Sequence, residues 1–337
     1  MSRRGGGPPH VPSGGVPAPA PGPAKAPARA VGAAAAGARR RTWTPDEAYD
    51  LGGCLRVLRR GPYDPAFRVL DGAVWRVSRT PGGPVTLRIA PDGAGKIAAD
   101  AWGPGADWSL DRLPDLLGAG DDPDAFVPHH RLTQEAQRRN RGLRLARTGL
   151  VLESLIPSIL EQKVTTDEAY RAWRLLLCRH GDPAPGPMGG LHVPPDARTW
   201  CMIPSWEWHR AGVDGKRSAA VVRAARRAGR MEEAASMELE PATERLRAIP
   251  GIGPWTAAET LQRSNGAPDA ITVGDLHLPG IIGFALTGER GADDDRMLEL
   301  LAPYEGQRHR ATRLIMTTGR TPPRRAPRFT PGDIARL

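Results

Sequence analysis

Cysteine is scarce, with only Cys54, Cys178 and Cys201 in 337 residues. Three widely spaced thiols cannot pair completely, which favours a reducing compartment and excludes a zinc or iron–sulfur site built from cysteine alone. No run of 18 apolar residues occurs, so no membrane-spanning helix is expected. The N-terminus opens with arginines but has no apolar stretch behind them, so it does not read as a secretory signal. Large apolar side chains are nearly missing from residues 1–40, which are mainly Ala, Gly and Pro. Such a segment cannot offset its ordering entropy by burial, and a disordered tail is expected.

Acidic residues are missing there too: residues 1–41 carry seven Lys or Arg and no Asp or Glu. Residues 318–337 carry five Arg and one Asp. The remaining 276 residues hold 35 basic and 36 acidic groups, so the net charge of +10 belongs to the two ends. The charge therefore does not by itself make the folded part a nucleic-acid binder, although basic arms can add salt-sensitive phosphate contacts.

Between the ends, residues 42–130 read as a mixed α/β unit. A helix is expected over Pro45–Arg59, with Ala48, Leu51, Leu55 and Leu58 on one side. Strand-like runs follow at Phe67–Leu70, Ala73–Val77 and Val85–Ile89. Asp71-Gly72 and Pro81-Gly82-Gly83 separate them as turns, which predicts an antiparallel meander. Residues 131–317 read as helical, most clearly at Val151–Gln162 and Thr166–Leu177. The Pro/Gly-rich stretch Gly181–Pro195 reads as a loop, and further helices are expected at 196–202, 216–228, 243–249, 296–301 and 308–316. Trp206 and Trp208 beside His209 read as a packed turn before a helix. Residues 318–337 form a Pro/Arg-rich tail. The fold class is α+β, a small antiparallel sheet-and-helix unit followed by a helical body.

One segment carries chemistry. Leu246 to Asp275 reads LRAIPGIGPWTAAETLQRSNGAPDAITVGD. In Pro250-Gly251-Ile252-Gly253-Pro254 two glycines flank one apolar residue, which allows a tight turn with converging backbone N–H groups. Pro254 suits the first position of a helix, and apolar residues recur at helical spacing on both sides. Helix, hairpin, helix is therefore predicted, with exposed amides at a helix N-terminus, a ready site for an anion such as a nucleic-acid phosphate. A plain packing turn between helices fits the same residues. Asp275 stands 22 residues beyond Gly253 and precedes Leu276-His277-Leu278; it can cap a helix there, serve as a reactive carboxylate, or do both.

The hairpin, its spacing to Asp275 and the Asp275-x-His277 triplet resemble the helix-hairpin-helix DNA glycosylase superfamily, most nearly its 3-methyladenine DNA glycosylase II, alkylation-repair branch. The resemblance covers roughly residues 49–318. It implies a sheet-and-helix unit ahead of an all-helical body and a monofunctional glycosylase of base excision repair that flips an alkylated purine out of damaged duplex DNA and hydrolyses its glycosidic bond. Endonuclease-III-like members carry a four-cysteine cluster after the aspartate; this chain has no cysteine there.

The implied roles follow residue by residue. Asp275 would stabilise the oxocarbenium-like sugar and orient or deprotonate the attacking water. Trp255 stands where backbone-cutting members place a lysine that forms a Schiff base; an indole cannot do that but can stack on an electron-poor base. Glu259 and Met316 stand where the branch has aromatic pocket residues. Glu259 would favour a cationic base or salt-bridge to an arginine. Gly251, Ile252, Gly253, Pro254 and Trp255 would hold a phosphate through their amides, and His277 would touch another. Gln162 and Lys163 align with the loop that fills the gap left by the flipped nucleotide. For Trp255, His277 and Lys163, ordinary structural roles in core, helix or surface remain open. No cofactor and no metal site are implied, though hairpin carbonyls could hold a monovalent cation. The implied setting is cytoplasmic and nucleoid-associated, as a monomer with no membrane and no obligate protein partner. Two alternatives stay open: a non-catalytic DNA-binding protein on the same fold, and a glycosylase for another damaged base.

Overall fold

Asp71 and Gly72 both adopt positive φ, 50° and 72°, which is the conformation that a two-residue hairpin turn demands. In the computed structural model, which describes residues 37–323, that turn joins β2 (Phe67–Leu70) to β3 (Ala73–Thr80). The sheet continues through β4 (Gly83–Pro91) and β5 (Ile97–Trp102) and ends at β1 (Arg39–Trp43). It is antiparallel throughout, in the order β1-β5-β4-β3-β2. The expected meander is present, with longer strands.

Two of its strands escape the sequence reading. β5, Ile-Ala-Ala-Asp-Ala-Trp, is rich in alanine, which has little strand preference. Residues 39–41 belong to β1 rather than to the basic tail expected over 1–41; the first 36 residues of that tail lie outside the described residues. The arginines of this edge strand are matched by acids: Arg39 pairs with Asp107, and Arg40 with Asp100 at 3.3 Å. Charge on an edge strand also discourages pairing with other chains.

The expected helix over 45–59 is shorter, α1 (Leu51–Leu55) followed by one 3₁₀ turn at Arg56–Leu58. Asp50 caps it by accepting from Gly53 N at 2.9 Å, and Gly52-Gly53 weakens any longer helix. With α2 (Ala106–Asp111) and α3 (Leu113–Leu116) it covers one sheet face, burying Leu55, Val85, Leu87, Ile89, Leu113 and Leu117. The opposite face buries the stacked Trp75 and Trp102 under Leu191 and Val193. Those two residues come from the stretch expected to be only a loop, which instead forms a small antiparallel pair, β6 (Asp182–Pro183) and β7 (His192–Val193). The covering is tertiary, so nothing local in a Pro/Gly-rich run announces it.

The helical body begins at α4 (Arg131–Arg139) and continues through α5 (Val151–Leu160) and α6 (Thr166–His180). Thr165 and Glu168 close a capping box at the start of α6. After the strand pair come α7 (Ala197–Met202), α8 (Ser205–Arg210), α9 (Gly215–Arg226), α10 (Ala228–Glu232) and α11 (Leu239–Arg247). Trp206 and Trp208 thus lie within a helix, not in a turn; Trp208 stacks on Trp200 in the core while Trp206 is exposed. The last helices of the described residues are α12 (Pro254–Ser264), α13 (Leu278–Thr287), α14 (Asp294–Leu301) and α15 (Arg308–Thr317).

Helix α5 is the hub, buried along Val151, Leu155, Ile156, Ile159 and Leu160. It packs on α12, which brings the end of α5 beside the glycine hairpin. Glu153 of α5 ties the body to the sheet by accepting from Arg76 Nη2 at 2.5 Å, Ser78 Oγ at 3.1 Å and Arg79 N at 3.2 Å. Among the described residues no helix is long and apolar enough to cross a membrane.

Candidate active site

Leu246, Ile249 and Ile252 are buried and anchor the turn between α11 and α12 in the core. Gly251 has φ of +98°, and a Cβ there would meet the Ala220 Cβ of α9 at 3.0 Å. The residue must therefore be glycine for two reasons, handedness and space. Gly253 differs: it is extended at φ −94°, ψ −179°, and a Cβ would meet nothing within 4 Å. Pro254 opens α12 at a position that needs no N–H.

The expectation that five successive residues offer amides needs correcting. The Ile252 N–H is used inside the turn on Ile249 O at 3.0 Å, and proline has none. Donors of Gly253, Trp255 and Thr256 remain at the helix start, where no intrahelical acceptor exists, beside the exposed Gly251. Gln162 does not reach outward; its Nε2 braces the turn by donating to Gly251 O at 2.9 Å and Thr256 Oγ1 at 2.8 Å. Lys163, next along, is exposed and holds φ of +55°, a left-handed conformation that costs a lysine on the order of 1 kcal/mol.

Asp275 and Trp255 meet. The indole Nε1 donates to Asp275 Oδ2 at 3.0 Å. Asp275 Oδ1 accepts from His277 N at 2.8 Å and Leu278 N at 2.9 Å, so the carboxylate also holds the first donors of α13 from two residues ahead of its N-cap, His277. The two sequence readings of Asp275 are thus compatible in one geometry. Three acceptor positions are taken, and a carboxylate has about four. The half-buried group therefore keeps room for one more donor, a water or a cationic centre. The preceding turn is fixed by Gly274, at φ of +85°, whose N–H donates to Asp294 Oδ2 at 2.9 Å.

Burial pushes the Asp275 carboxyl upward, but the Trp255 donor, the two backbone amides and the nearby His277 outweigh it and hold the group below the ordinary carboxylate range. The group is ionised throughout the neutral range. Because its folded-state value is depressed, its contribution to stability is present above the unfolded value, about 3.9, and is lost as pH falls through the lower folded value. Replacing Trp255 with Phe keeps the ring and deletes the donor. Its expected result is an Asp275 carboxyl closer to the ordinary range and an acidic limb of any pH–rate profile moved to higher pH. An unmoved limb would dissociate the indole from the carboxylate's ionisation.

Glu259, one turn below Trp255, is not a bare charge. Its Oε2 accepts from Arg263 Nη1 at 2.7 Å and its Oε1 from Thr272 Oγ1 at 3.0 Å. Arg263 also donates to Glu259 O and to Val57 O, joining α12 to the segment after α1. Thr272, Asp294 and Arg263 were not singled out in the sequence. Only Arg263 carried a signal, its i,i+4 spacing from Glu259. His277 is exposed at the start of α13. Met316 is half-exposed (49%) near the end of α15, and no hydrogen bond or ring contact ties it to the Asp275–Trp255 pair among the described residues.

Among the described residues no cluster of three or more His, Cys, Asp or Glu is placed to hold a metal ion. Cys54 is buried, Cys201 half-buried and Cys178 exposed, and none is in a disulfide.

No protein-family model matches the sequence, and no curated protein matches it. Solved structures do match. A 3-methyladenine DNA glycosylase from Archaeoglobus fulgidus superposes with a TM-score of 0.66 at 19% identity, over 82% of this chain and 97% of that one. MBOgg1 in complex with a low-affinity DNA ligand gives 0.67 at 15%, over 83% and 95%. An 8-oxoguanine glycosylase/lyase from Clostridium acetobutylicum gives 0.61 at 11%, over 80% and 92%. The chain shares the fold of these DNA glycosylases, and the α+β architecture expected from the sequence is that fold.

Proposed function

We propose that the protein is a DNA glycosylase that hydrolyses the bond between a damaged base and its deoxyribose. The observation that carries this reading is the ionised Asp275, held by Trp255 and the α13 amides with one acceptor position to spare. As the C1′–N bond breaks, its electron pair leaves with the base and positive charge builds on the sugar. A fixed carboxylate lowers the energy of that charge, and water adds to C1′ while losing its proton to Asp275 or to solvent. The amides at the start of α12 supply a grip on phosphate that ignores sequence. A base inside the duplex is out of reach, so it must be flipped out, at a few kcal/mol that damage reduces.

Position 255 is a tryptophan, so the pair offers no amine for a Schiff base and the reaction ends at an abasic site. Incubating damaged duplexes with the protein and reading out abasic sites tests this. Base release without strand cleavage, and without a borohydride-trapped protein–DNA adduct, is expected. A trapped adduct would overturn the hydrolytic route, and no release from any lesion would leave a DNA binder.

The alkylated purines implied by the motif are one substrate class. A second reading rests on Glu259: its charge is met by Arg263 and Thr272, which removes the electrostatic preference that a lone carboxylate would give a cationic base. Neutral damaged bases bearing carbonyl groups then compete on equal terms. The fold is shared with proteins that are described as acting on each class. Competition between duplexes carrying 3-methyladenine, 7-methylguanine, 8-oxoguanine and hypoxanthine separates the two.

A further inference from the structure

Helix α9 packs against the glycine hairpin through a single face. Ala220 lies under Gly251, and one turn later Arg223 Nη1 donates to Pro250 O at 3.2 Å. Lys216 lies one turn before Ala220 on the same face, and Arg227, the C-cap residue just past the end of α9, follows Arg223 by four positions; both are exposed. At the other end of α9, Arg217 Nη1 donates to Leu160 O at 2.8 Å, which sets its first turn beside the loop bearing Lys163.

These cations lack counter-charges. Arg217 is paired with Asp214 at 2.6 Å and Arg230 lies 3.8 Å from Glu233, but Lys216, Arg223 and Arg227 have no carboxylate partner among the described residues. The middle of the chain is nearly neutral, so three unpaired cations in one line beside an amide-rich turn are a local feature. We propose that α9 and its C-cap present a second line of phosphate contacts, Lys216, Arg223 and Arg227, that carries a DNA strand onward from the hairpin.

From Lys216 to Arg223 the helix rises roughly 10 Å at 1.5 Å per residue, and Arg227 follows at its C-cap. That rise matches about three base steps at about 3.4 Å each. Arg223 links the two elements: its Nη1 fixes the hairpin carbonyl of Pro250 and lies 3.9 Å from where a Gly251 Cβ would stand. The inference rests on the DNA-binding part of the proposed function but not on catalysis.

The test is a salt titration of affinity for undamaged duplex, with the full chain. Each lost phosphate contact lowers the slope of log K against log salt by about 0.9. The Lys216→Ala/Arg223→Ala/Arg227→Ala variant should lose two to three units of slope. A charge-matched Arg39→Ala/Arg40→Ala/Lys96→Ala variant on β1 and the β4–β5 loop should keep the wild-type slope. Arg223→Gln alone should lose about one unit, which covers the case of a triple variant that does not fold. Equal slopes for the α9 and sheet variants, both melting as the wild type does, would overturn the proposal while leaving the hairpin grip intact. A wild-type protein with no salt-dependent duplex affinity would overturn this proposal and the DNA reading together.

Discussion

Replacing Asp275 with asparagine should slow base release by on the order of 10²–10⁴-fold while leaving duplex affinity within a few-fold. Asparagine keeps an oxygen for the His277 and Leu278 amides. What it removes is the negative charge that the proposed reaction sets against the sugar. It also sets an amide NH₂ against the Trp255 N–H, two donors where the wild type has a donor and an acceptor at 3.0 Å. The indole must therefore shift or lose its partner, which indole NMR detects independently of activity. Single-turnover release on a lesion duplex, with affinity measured in parallel, checks the main effect. An Asp275→Asn variant that releases base at the wild-type rate would leave Asp275 as a helix cap and nothing more.

The second large effect separates two glycines that look equivalent in the sequence. Gly251→Ala should destabilise the protein by about 1–3 kcal/mol, because it forces a side chain into a positive-φ conformation and against Ala220. Gly253→Ala meets no protein atom and no forbidden dihedral, so its stability cost should stay below about 1 kcal/mol. Its methyl group would nevertheless add bulk beside the Gly253 N–H, in space that no protein atom fills and that the proposed phosphate would need. Duplex affinity should fall roughly tenfold with the fold intact, a loss of about 1.4 kcal/mol. Denaturant melts and affinity measurements on both variants decide it. Full affinity in Gly253→Ala would mean that no phosphate comes close to this turn.

The contrast between these glycines shows how far a linear reading reaches. Gly-x-Gly followed by proline at the head of an amphipathic stretch made the turn and α12 legible, because handedness and the missing N–H are properties of single residues. Likewise Asp71-Gly72 announced its hairpin, and the stretch 166–177 read as the helix that α6 is. β1 was hidden behind three arginines and β5 behind its alanines, since both are strands only because a neighbouring strand completes their hydrogen bonds. Asp182–Pro183 and His192–Val193 were hidden for the same reason.

At the site, the sequence by itself determined the order of hairpin, Trp255 and carboxylate, and excluded an amine at position 255. Only the tertiary structure decided what each group is bonded to. It turned Gln162 inward to brace the hairpin, used up the Ile252 amide, paired Glu259 with Arg263 and closed the Trp255–Asp275 hydrogen bond across 20 residues. Local propensity acts within a turn or two of the chain. Hydrogen bonds and ion pairs form between whichever groups packing brings within about 3 Å, and that proximity is a property of the fold.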